Sequence, residues 1–527
     1  MVDLGLEVPM RDGVVLRGVR YSPAALPAPT ILMLTPYGAD RRHEDGKFFA
    51  ARGFHFVCVD CRGRGDSGGE FDPFAGDGRD GHDIVQWIAA QPWSSGDVVM
   101  YGGSYCGFVQ WAIAATQPPA LRAIAPAASV YPGVDFPNPG TIFEAYVVQW
   151  LTLVNGHRMN DVLFKDGQMW RSIALDLVAQ GRPFRDLDIA AVGCRLPVFQ
   201  EWLDHPSYDS YWARLVPSAE QFAGITMPVL TVTGQYDDDQ QGALRYYDQH
   251  IVTPGARHDL VIGPWDHSGT RTGERSFGGL TFPESCEVDL RALHADWYDW
   301  ALGRGERPAF LTDRVVYFHE DTWVPSAGIP SGPQALTLYP SGKLLARNAS
   351  EETQVVELAI DPRKDENRDI QPEETRFVSA IGSLSGLVHT SSPVGEVLDL
   401  AGRPWASLTL SSELPDFDVV TEIYLLRGEQ AIWLGEAPLR ARHRDSITTA
   451  SPWPSTVEIT VELSFPFVSL RTTVDDRFAV VVRPAHHRYQ VNQQAGGDIS
   501  RETSADAVAG VVRLVQHRSS VSLPLSL

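Results

Sequence analysis

The sequence has few cysteines and lacks long apolar runs. Its 527 residues include five cysteines, an odd number that does not suit a disulfide framework. No stretch approaches the roughly 18 consecutive apolar residues of a membrane-spanning helix. The N-terminal residues also lack the basic and apolar regions of a secretory signal. These absences argue against a disulfide-stapled secreted protein and a membrane protein, and we expect a cytoplasmic location.

Positive charge is also scarce. Lys and Arg total 44 against 66 Asp and Glu, a formal net charge of −22. Because so acidic a surface repels phosphates and anionic lipids, we expect neither nucleic acid nor a membrane as a partner. Cys58 and Cys61 form a C-x-x-C, but no second pair lies at zinc spacing, and we expect no metal and no cofactor. The oligomeric state stays open, and a homo-oligomer is compatible with the sequence.

The first part of the sequence alternates strand and helix patterns. Continuous apolar runs are typical of parallel strands that are covered on both faces. Such runs lie at 30–35, 54–59, 97–101, 228–233 and 260–263, with helical patterns at 81–90, 242–250 and 290–302. This alternation predicts an α/β fold with a doubly wound sheet.

Two regions depart from that alternation. Aromatic and leucine residues recur at helical spacing from about 143 to 222, which predicts a helical insertion. After about residue 307, short alternating segments separated by Gly, Pro, Ser and Asp predict an all-β sandwich or jelly roll. We therefore predict core segments at 1–142 and 223–306, an inserted helical cap at 143–222 and a β domain at 307–527.

The sharpest local signal is the run Gly102-Gly-Ser-Tyr-Cys-Gly107, in which glycines flank Ser104 much as in the G-x-S-x-G pattern of a nucleophile elbow, with the second glycine one position later. It directly follows the strand pattern at 97–101 and precedes apolar residues at helical spacing. A nucleophile elbow needs this strand–turn–helix context, because its serine sits on a tight turn that only flanking glycines allow. The pattern predicts Ser104 as a nucleophile exposed at the edge of the sheet.

A serine hydroxyl needs a base to take its proton and an acid to orient that base. An acidic run begins at Asp237, just after one buried strand pattern, and His267 follows the next one. The order serine, acid, histidine is that of α/β hydrolases. Asp237, Asp238 and Asp239 are adjacent, so the orienting acid is not unique, but Asp237 is nearest the strand end and is our choice.

Several ordered motifs together resemble one known family. They are Arg11-Asp-Gly-Val14, Thr35-Pro-Tyr-Gly38, Asp60-Cys-Arg-Gly-Arg-Gly-Asp-Ser-Gly-Gly-Glu70, Gly103-Ser-Tyr-Cys-Gly107, His205-Pro-Ser-Tyr-Asp-Ser-Tyr-Trp212, Gly234-Gln-Tyr-Asp237 and Gly263-Pro-Trp-Asp-His-Ser268. The chain resembles the cocaine-esterase-like hydrolases, a branch of the X-Pro dipeptidyl-peptidase group that also includes the α-amino-acid ester hydrolases. The resemblance extends over nearly the whole chain.

The resemblance implies an α/β-hydrolase core, an inserted helical cap and a C-terminal jelly roll around one active site. It implies Ser104 as nucleophile, His267 as general acid and base, and Asp237 as its partner. It also implies an oxyanion hole made by the Tyr37 hydroxyl and the backbone N–H of Tyr105. A tyrosine such as Tyr37 can equally be a buried packing residue, and the sequence alone leaves both roles open.

Substrate-binding residues are less defined. The α-amino-acid ester hydrolases have acids two and three positions after their catalytic Asp, where they bind a substrate ammonium. This chain has Asp239 and Gln240 there, and our hypothesis is that Asp239 favours a cationic or amino-bearing substrate. The alternative is a solvated or capping aspartate. Trp150 is a candidate for the pocket wall, but its helical spacing suits the core of the cap equally well.

Three functions stay open at this point. The first is a serine hydrolase that cleaves an ester or amide of a small acyl compound through an acyl-enzyme. The second is an exopeptidase or an acyl or aminoacyl transferase with the same three residues. The third is a non-catalytic binding protein on a hydrolase scaffold. The first is the function that we predict, with a small-molecule ester or amide as the partner.

Overall fold

The computed structural model describes residues 1–332, 334–364, 377–485 and 488–526. The core is a mixed sheet of ten strands in the order β1-β2-β4-β3-β5-β6-β7-β8-β11-β12, and β9 with β10 forms a separate hairpin. The strands are β1 (Val2–Pro9), β2 (Val15–Tyr21), β3 (Ala28–Thr35), β4 (His55–Asp60), β5 (Ser94–Gly103), β6 (Leu121–Ala127), β7 (Val229–Tyr236), β8 (His258–Asp266), β9 (Ser276–Phe277), β10 (Leu280–Thr281), β11 (Val315–His319) and β12 (Thr322–Ser326).

The strands from β4 to β11 run parallel in this sheet, and β1, β2 and β12 pair antiparallel at its two edges. Every residue of β3 and β4 is buried, as expected for strands with both faces covered. The core helices are α1 (His43–Ala51), α2 (Asp77–Ala89), α3 (Tyr105–Ala114), α11 (Gln240–Ile251), α12 (Gly269–Thr272) and α13 (Leu290–Ala301). Apolar residues of α2 and α3 pack on one face, and those of α1 and α13 pack on the other.

The region between β6 and β7 forms a cap of short helices. These are α4 (Tyr146–Leu153), α5 (Asp161–Phe164), α6 (Gly167–Ala179), α7 (Leu187–Val192), α8 (Pro197–Leu203), α9 (Ser210–Ala213) and α10 (Ala219–Gly224). The cap shares one apolar core with α2 and α3, in which Trp150, Trp202 and Phe74 stack. This continuous core fixes the cap above the carboxyl ends of the core strands.

The C-terminal part is a β domain. Its strands are β13 (Ala335–Ser341), β14 (Leu344–Ala346), β15 (Val355–Ile360), β16 (Val378–Ala380), β17 (Leu387–Ser391), β18 (Asp399–Gly402), β19 (Trp405–Ser412), β20 (Asp418–Arg427), β21 (Gln430–Arg440), β22 (Ile459–Ser464), β23 (Val468–Arg471), β24 (Arg477–Pro484), β25 (Gly510–Val515) and β26 (Ser520–Pro524). Apolar side chains of β19, β20, β24 and β25 form its buried core. The predicted fold class, an α/β-hydrolase core with a helical cap and a jelly-roll domain, is confirmed.

The core continues beyond residue 306, where the sequence predicted its end. β11 pairs parallel with β8, and β12 closes the edge beside β11, so the last core strands lie at 315–326. The run at 315–319 is buried throughout, like the other core strands, but it is short and follows a change in composition. The domain boundaries are otherwise a proposal that rests on the element order.

The cap and the β domain are joined by backbone and side-chain contacts. The N–H of Ala145 donates to the carbonyl of Arg488 (2.8 Å), and the N–H of Gln490 donates to that of Phe143 (2.7 Å). Arg440 is buried in the β domain, where it pairs with both oxygens of Asp418, and it also donates to the carbonyl of Thr141 (3.0 Å). No helix among the described residues is long and apolar enough to cross a membrane.

We expect Arg440→Met to destabilise the β domain strongly. The substitution leaves the carboxylate of Asp418 buried without its partner, which costs about 3–5 kcal/mol. The matched control is Arg518→Met, since the pair that Arg518 forms with Glu458 is exposed and worth about 1 kcal/mol or less. Urea unfolding followed by circular dichroism measures both variants, and equal midpoints would contradict the prediction.

Candidate active site

Ser104 lies on a strained turn between β5 and α3. Its φ of 62° and ψ of −127° place a non-glycine residue in a sparsely populated region. Its N–H donates to the carbonyl of Ala127 on the neighbouring strand (2.9 Å). A Cβ on Gly107 would lie 2.8 Å from that same carbonyl oxygen, so only glycine fits there. The turn therefore needs the glycines that flank Ser104 in the sequence.

Asp237 and His267 meet at the same edge of the sheet because β7 and β8 are parallel neighbours. The Nδ1 of His267 lies 2.8 Å from Oδ1 of Asp237. The buried Asp237 also accepts hydrogen bonds from the Thr233 hydroxyl (2.8 Å) and the N–H of Asp239 (3.0 Å). A carboxylate that only accepts requires the proton of His267 on Nδ1, which leaves Nε2 as a basic nitrogen.

The three adjacent aspartates have different surroundings. Asp237 contacts the ring of His267 directly, whereas Oδ2 of Asp239 lies 3.7 Å from the same Nδ1. Asp238 points to Arg488 of the β domain, with 3.8 Å between Oδ1 and Nη2. Asp237 is therefore the one placed to orient the imidazole.

Opposing charges act on His267. Burial and the guanidinium of Arg271 lower its pKa. The carboxylates of Asp239 and Asp237 more than offset both effects, so the pKa of His267 lies above its ordinary value. Burial also raises the pKa of Asp239 well above that of an ordinary aspartate, and the neighbouring Asp135 adds to the effect.

Tyr37 lies beside Ser104. Burial raises the pKa of its hydroxyl, while hydrogen bonding to Trp150 and to Ser104 lowers it. The Nε1–H of Trp150 donates to the Tyr37 oxygen (3.0 Å), which leaves the hydroxyl proton to point elsewhere. Trp150 belongs both to the cap core, where it stacks on Phe74, and to the cavity wall. No pattern in the sequence predicted the hydrogen bond between Trp150 and Tyr37.

Tyr105 begins α3, and an N–H in the first turn of a helix has no intrahelical partner. Its side chain is buried and donates to Oδ2 of Asp77 (2.6 Å). Burial raises the pKa of Asp77 to about 6. The side chain of Tyr105 thus fixes the turn, and only its backbone N–H is available beside Ser104.

The structure corrects the expectation for Gln240. This residue is fully buried, and its side-chain amide bonds the backbone of Phe467 in the β domain in both directions (3.1 and 2.6 Å). It lies one position into α11 and faces the domain interface, so it does not bind substrate. Asp239, by contrast, lines the cavity beside His267.

Ser104, His267 and Asp237 all line one large cavity of about 2170 Å³, which the core, the cap and the β domain enclose together. The sequence analysis missed many charged residues of its wall, among them Arg42, Asp135 and Arg271. Asp135 comes several residues after β6 and shows no motif. Arg271 comes one helical turn after His267, a spacing that places both side chains on the same side of the chain.

Comparisons with known proteins find similar chains among hydrolases. The family model of the X-Pro dipeptidyl-peptidases (S15 family) matches residues 12–269. The cocaine esterase of Rhodococcus sp. (strain MB1 Bresler) is 26% identical over 571 residues, with 98% of this chain and 97% of the relative covered. A putative serine esterase of Mycobacterium tuberculosis (strain CDC 1551 / Oshkosh) is 25% identical, with 98% and 94% covered.

Two solved structures share the fold over almost the whole chain. An aminopeptidase from the marine sediment archaeon Thaumarchaeota archaeon has a TM-score of 0.87 at 22% identity, with 99% of this chain and 95% of that one covered. An α-amino acid ester hydrolase has the same TM-score and identity, with 100% and 96% covered. The likeness includes the cap and the β domain as well as the core.

We expect the charge of Arg271 to influence how the reactivity of Ser104 changes with pH. The base must be neutral, so reactivity falls as the pH drops through the pKa of His267. Because Arg271 lowers that pKa, Arg271→Met should move the acid limb to higher pH. The rate of inactivation by a fluorophosphonate, measured from pH 5 to 9, tests this. Arg122→Met, a change at a remote surface residue, is the control. If the acid limb of the pH profile in Arg271→Met stays in place or moves to lower pH, His267 is not the group that sets this limb.

Proposed function

We propose that this chain, a serine hydrolase of the cocaine-esterase-like branch of the X-Pro dipeptidyl-peptidase group, cleaves an ester or amide of a small acyl compound through an acyl-enzyme on Ser104. The observation that carries the proposal is the contact between His267 and the buried Asp237 in the cavity that Ser104 also lines. The strained turn at Ser104 supports the same role.

In the proposed reaction the Ser104 oxygen attacks the carbonyl carbon while Nε2 of His267 takes its proton. The imidazolium that forms is stabilised by Asp237. The leaving group then departs with the proton from His267, which yields the acyl-enzyme. Water repeats the sequence, releases the acid and regenerates Ser104.

The oxyanion of both tetrahedral intermediates is proposed to lie between the Tyr37 hydroxyl and the Tyr105 N–H. The bond from Trp150 occupies the Tyr37 oxygen as an acceptor, so the hydroxyl can donate to an oxyanion. Burial raises the pKa of Tyr37, which keeps it protonated. One such donor contributes about 10²–10³ in kcat in serine hydrolases.

We further propose that Asp239, with Asp135, binds an amino group of the substrate. Both carboxyls line the cavity, and burial raises the pKa of each well above that of an ordinary aspartate. Oδ2 of Asp135 is buried and has no hydrogen-bond partner among the described residues. An ammonium would relieve the repulsion between these acids and satisfy the oxygen.

The first test is labelling by a fluorophosphonate probe. The wild-type chain should be labelled and Ser104→Ala should not, because the serine oxygen is the group that displaces fluoride. Loss of kcat for a p-nitrophenyl ester should reach about 10⁴-fold or more in the same variant. Dipeptide anilides assayed beside the esters separate an exopeptidase from an esterase. Labelling that survives the substitution would show that the nucleophile is another residue.

The second test compares p-nitrophenyl esters of an amino-bearing acid and its neutral isostere at pH 7. The ratio of kcat/KM for the amino-bearing to the neutral ester should fall about tenfold in Asp239→Asn, because a charged hydrogen bond is lost. Asp97→Asn, a surface change of the same charge, should keep the wild-type ratio. If the wild-type enzyme cleaves both esters equally well, the amino group is not recognised.

A further inference from the structure

One wall of the cavity carries a cluster of arginines that the proposed reaction does not use. We name it the arginine lobe, and its residues are Arg42, Asp45, Tyr101, Arg271, Arg291 and His294. Tyr101 is the common neighbour, since its pKa responds to all three guanidiniums and its ring contacts that of His294 at 5.2 Å. The lobe is formed by α1, α12 and α13 around the end of β5.

The arginine lobe adjoins the nucleophile. A Cβ built on Gly103, the residue before Ser104, would lie 3.0 Å from Cδ and 3.2 Å from Nη1 of Arg271. The guanidinium also lowers the pKa of Tyr37 on the other side of the serine. One small substrate can therefore place its carbonyl at Ser104 and another of its groups at Arg271.

Two arginine nitrogens of the lobe have no hydrogen-bond partner within the described part of the chain. Nε of Arg42 and Nη1 of Arg271 are buried, and neither has a hydrogen-bond partner among the residues that the structure describes. A buried donor without a partner is costly, so such nitrogens usually meet a ligand or an ordered water. Nε2 of the buried His294 is also without a partner in that part of the chain.

The arginine lobe carries a net positive charge, although the chain as a whole is acidic. Its carboxylate, Asp45, lies 3.8 Å from Nη1 of Arg291. Two nearby acids on the same cavity wall are engaged elsewhere. Glu287 pairs with Arg275 (3.4 Å), and Asp289 caps α13 by accepting from Ala292. Asp45 also acts on Arg42, so one carboxylate faces three guanidiniums, and Arg271 forms no ion pair with the residues that the structure describes.

We propose that Arg271, with Arg42, binds a carboxylate carried by the substrate. A planar guanidinium matches a carboxylate in two parallel hydrogen bonds, and the partial burial of Arg42 and Arg271 strengthens them. The inference rests on the proposed hydrolase function and adds to it. With the acids beside His267, it makes the cavity complementary to a molecule that has an ammonium and a carboxylate around the scissile carbonyl.

The test uses two matched pairs of esters. The first pair, 4-nitrophenyl and 3-carboxy-4-nitrophenyl butyrate, places the carboxylate on the leaving group. The second pair, 4-nitrophenyl valerate and mono-4-nitrophenyl glutarate, places it on the acyl chain. In at least one pair the wild-type ratio of kcat/KM for the charged to the neutral ester should fall about 10- to 100-fold in Arg271→Met, as loss of a charge-assisted bond predicts. That pair identifies which part of the substrate carries the carboxylate.

Control variants separate recognition of the carboxylate from effects on protein folding and on the pKa of His267. Each ratio compares two esters in the same variant at the same pH, so a shift in the pKa of His267 affects both kcat/KM values equally and cancels. Arg271→Lys keeps the charge and should retain part of the preference, and Arg42→Met provides a second variant if Arg271→Met melts early. Arg122→Met, a remote surface change, should keep the wild-type ratios.

The outcomes are distinguishable. Ratios that change less than about threefold in both pairs, for Arg271→Met and for Arg42→Met, would overturn the carboxylate site while hydrolysis of the neutral esters keeps the proposed function. Absence of neutral-ester hydrolysis in the wild-type chain would instead overturn the proposed function itself.

Discussion

The parallel pairing of β7 with β8 is the constraint on which the site depends. It places Asp237 and His267 at the same edge of the sheet, 2.8 Å apart, although thirty positions separate them in the chain. Burial of Asp237 makes this contact directional, since Thr233 and the backbone of Asp239 occupy its other acceptor positions. Residues of the core thus orient the ring of His267.

Local chemistry made part of this arrangement predictable from the sequence. The elbow at Ser104 was predicted because its glycines meet a steric demand of a few neighbouring residues. The order of strands and helices was predicted because buried parallel strands show continuous apolar runs. The choice among three adjacent aspartates stayed open, since their chemistry is identical and only the path of the chain after β7 distinguishes them.

The features that the sequence did not predict depend on packing between segments that are far apart in the chain. Gln240 was expected at the substrate, but its helical position turns it toward Phe467, far away in the sequence. Asp135, Arg42 and Arg271 were missed because each reaches the cavity from a segment without a motif. The end of the core was predicted too early, because β11 joins β8 only after a long excursion through the hairpin and α13.

The contact between the cap and the β domain bears on how the protein is made. The segment at 143–145 pairs with 488–490, and the latter emerges from the ribosome long after the cap helices do. During synthesis Ser104, His267 and Asp237 can all be in place while one wall of the cavity is still missing. The cavity is thus completed at a late stage of translation, and truncated nascent chains expose its apolar lining to water.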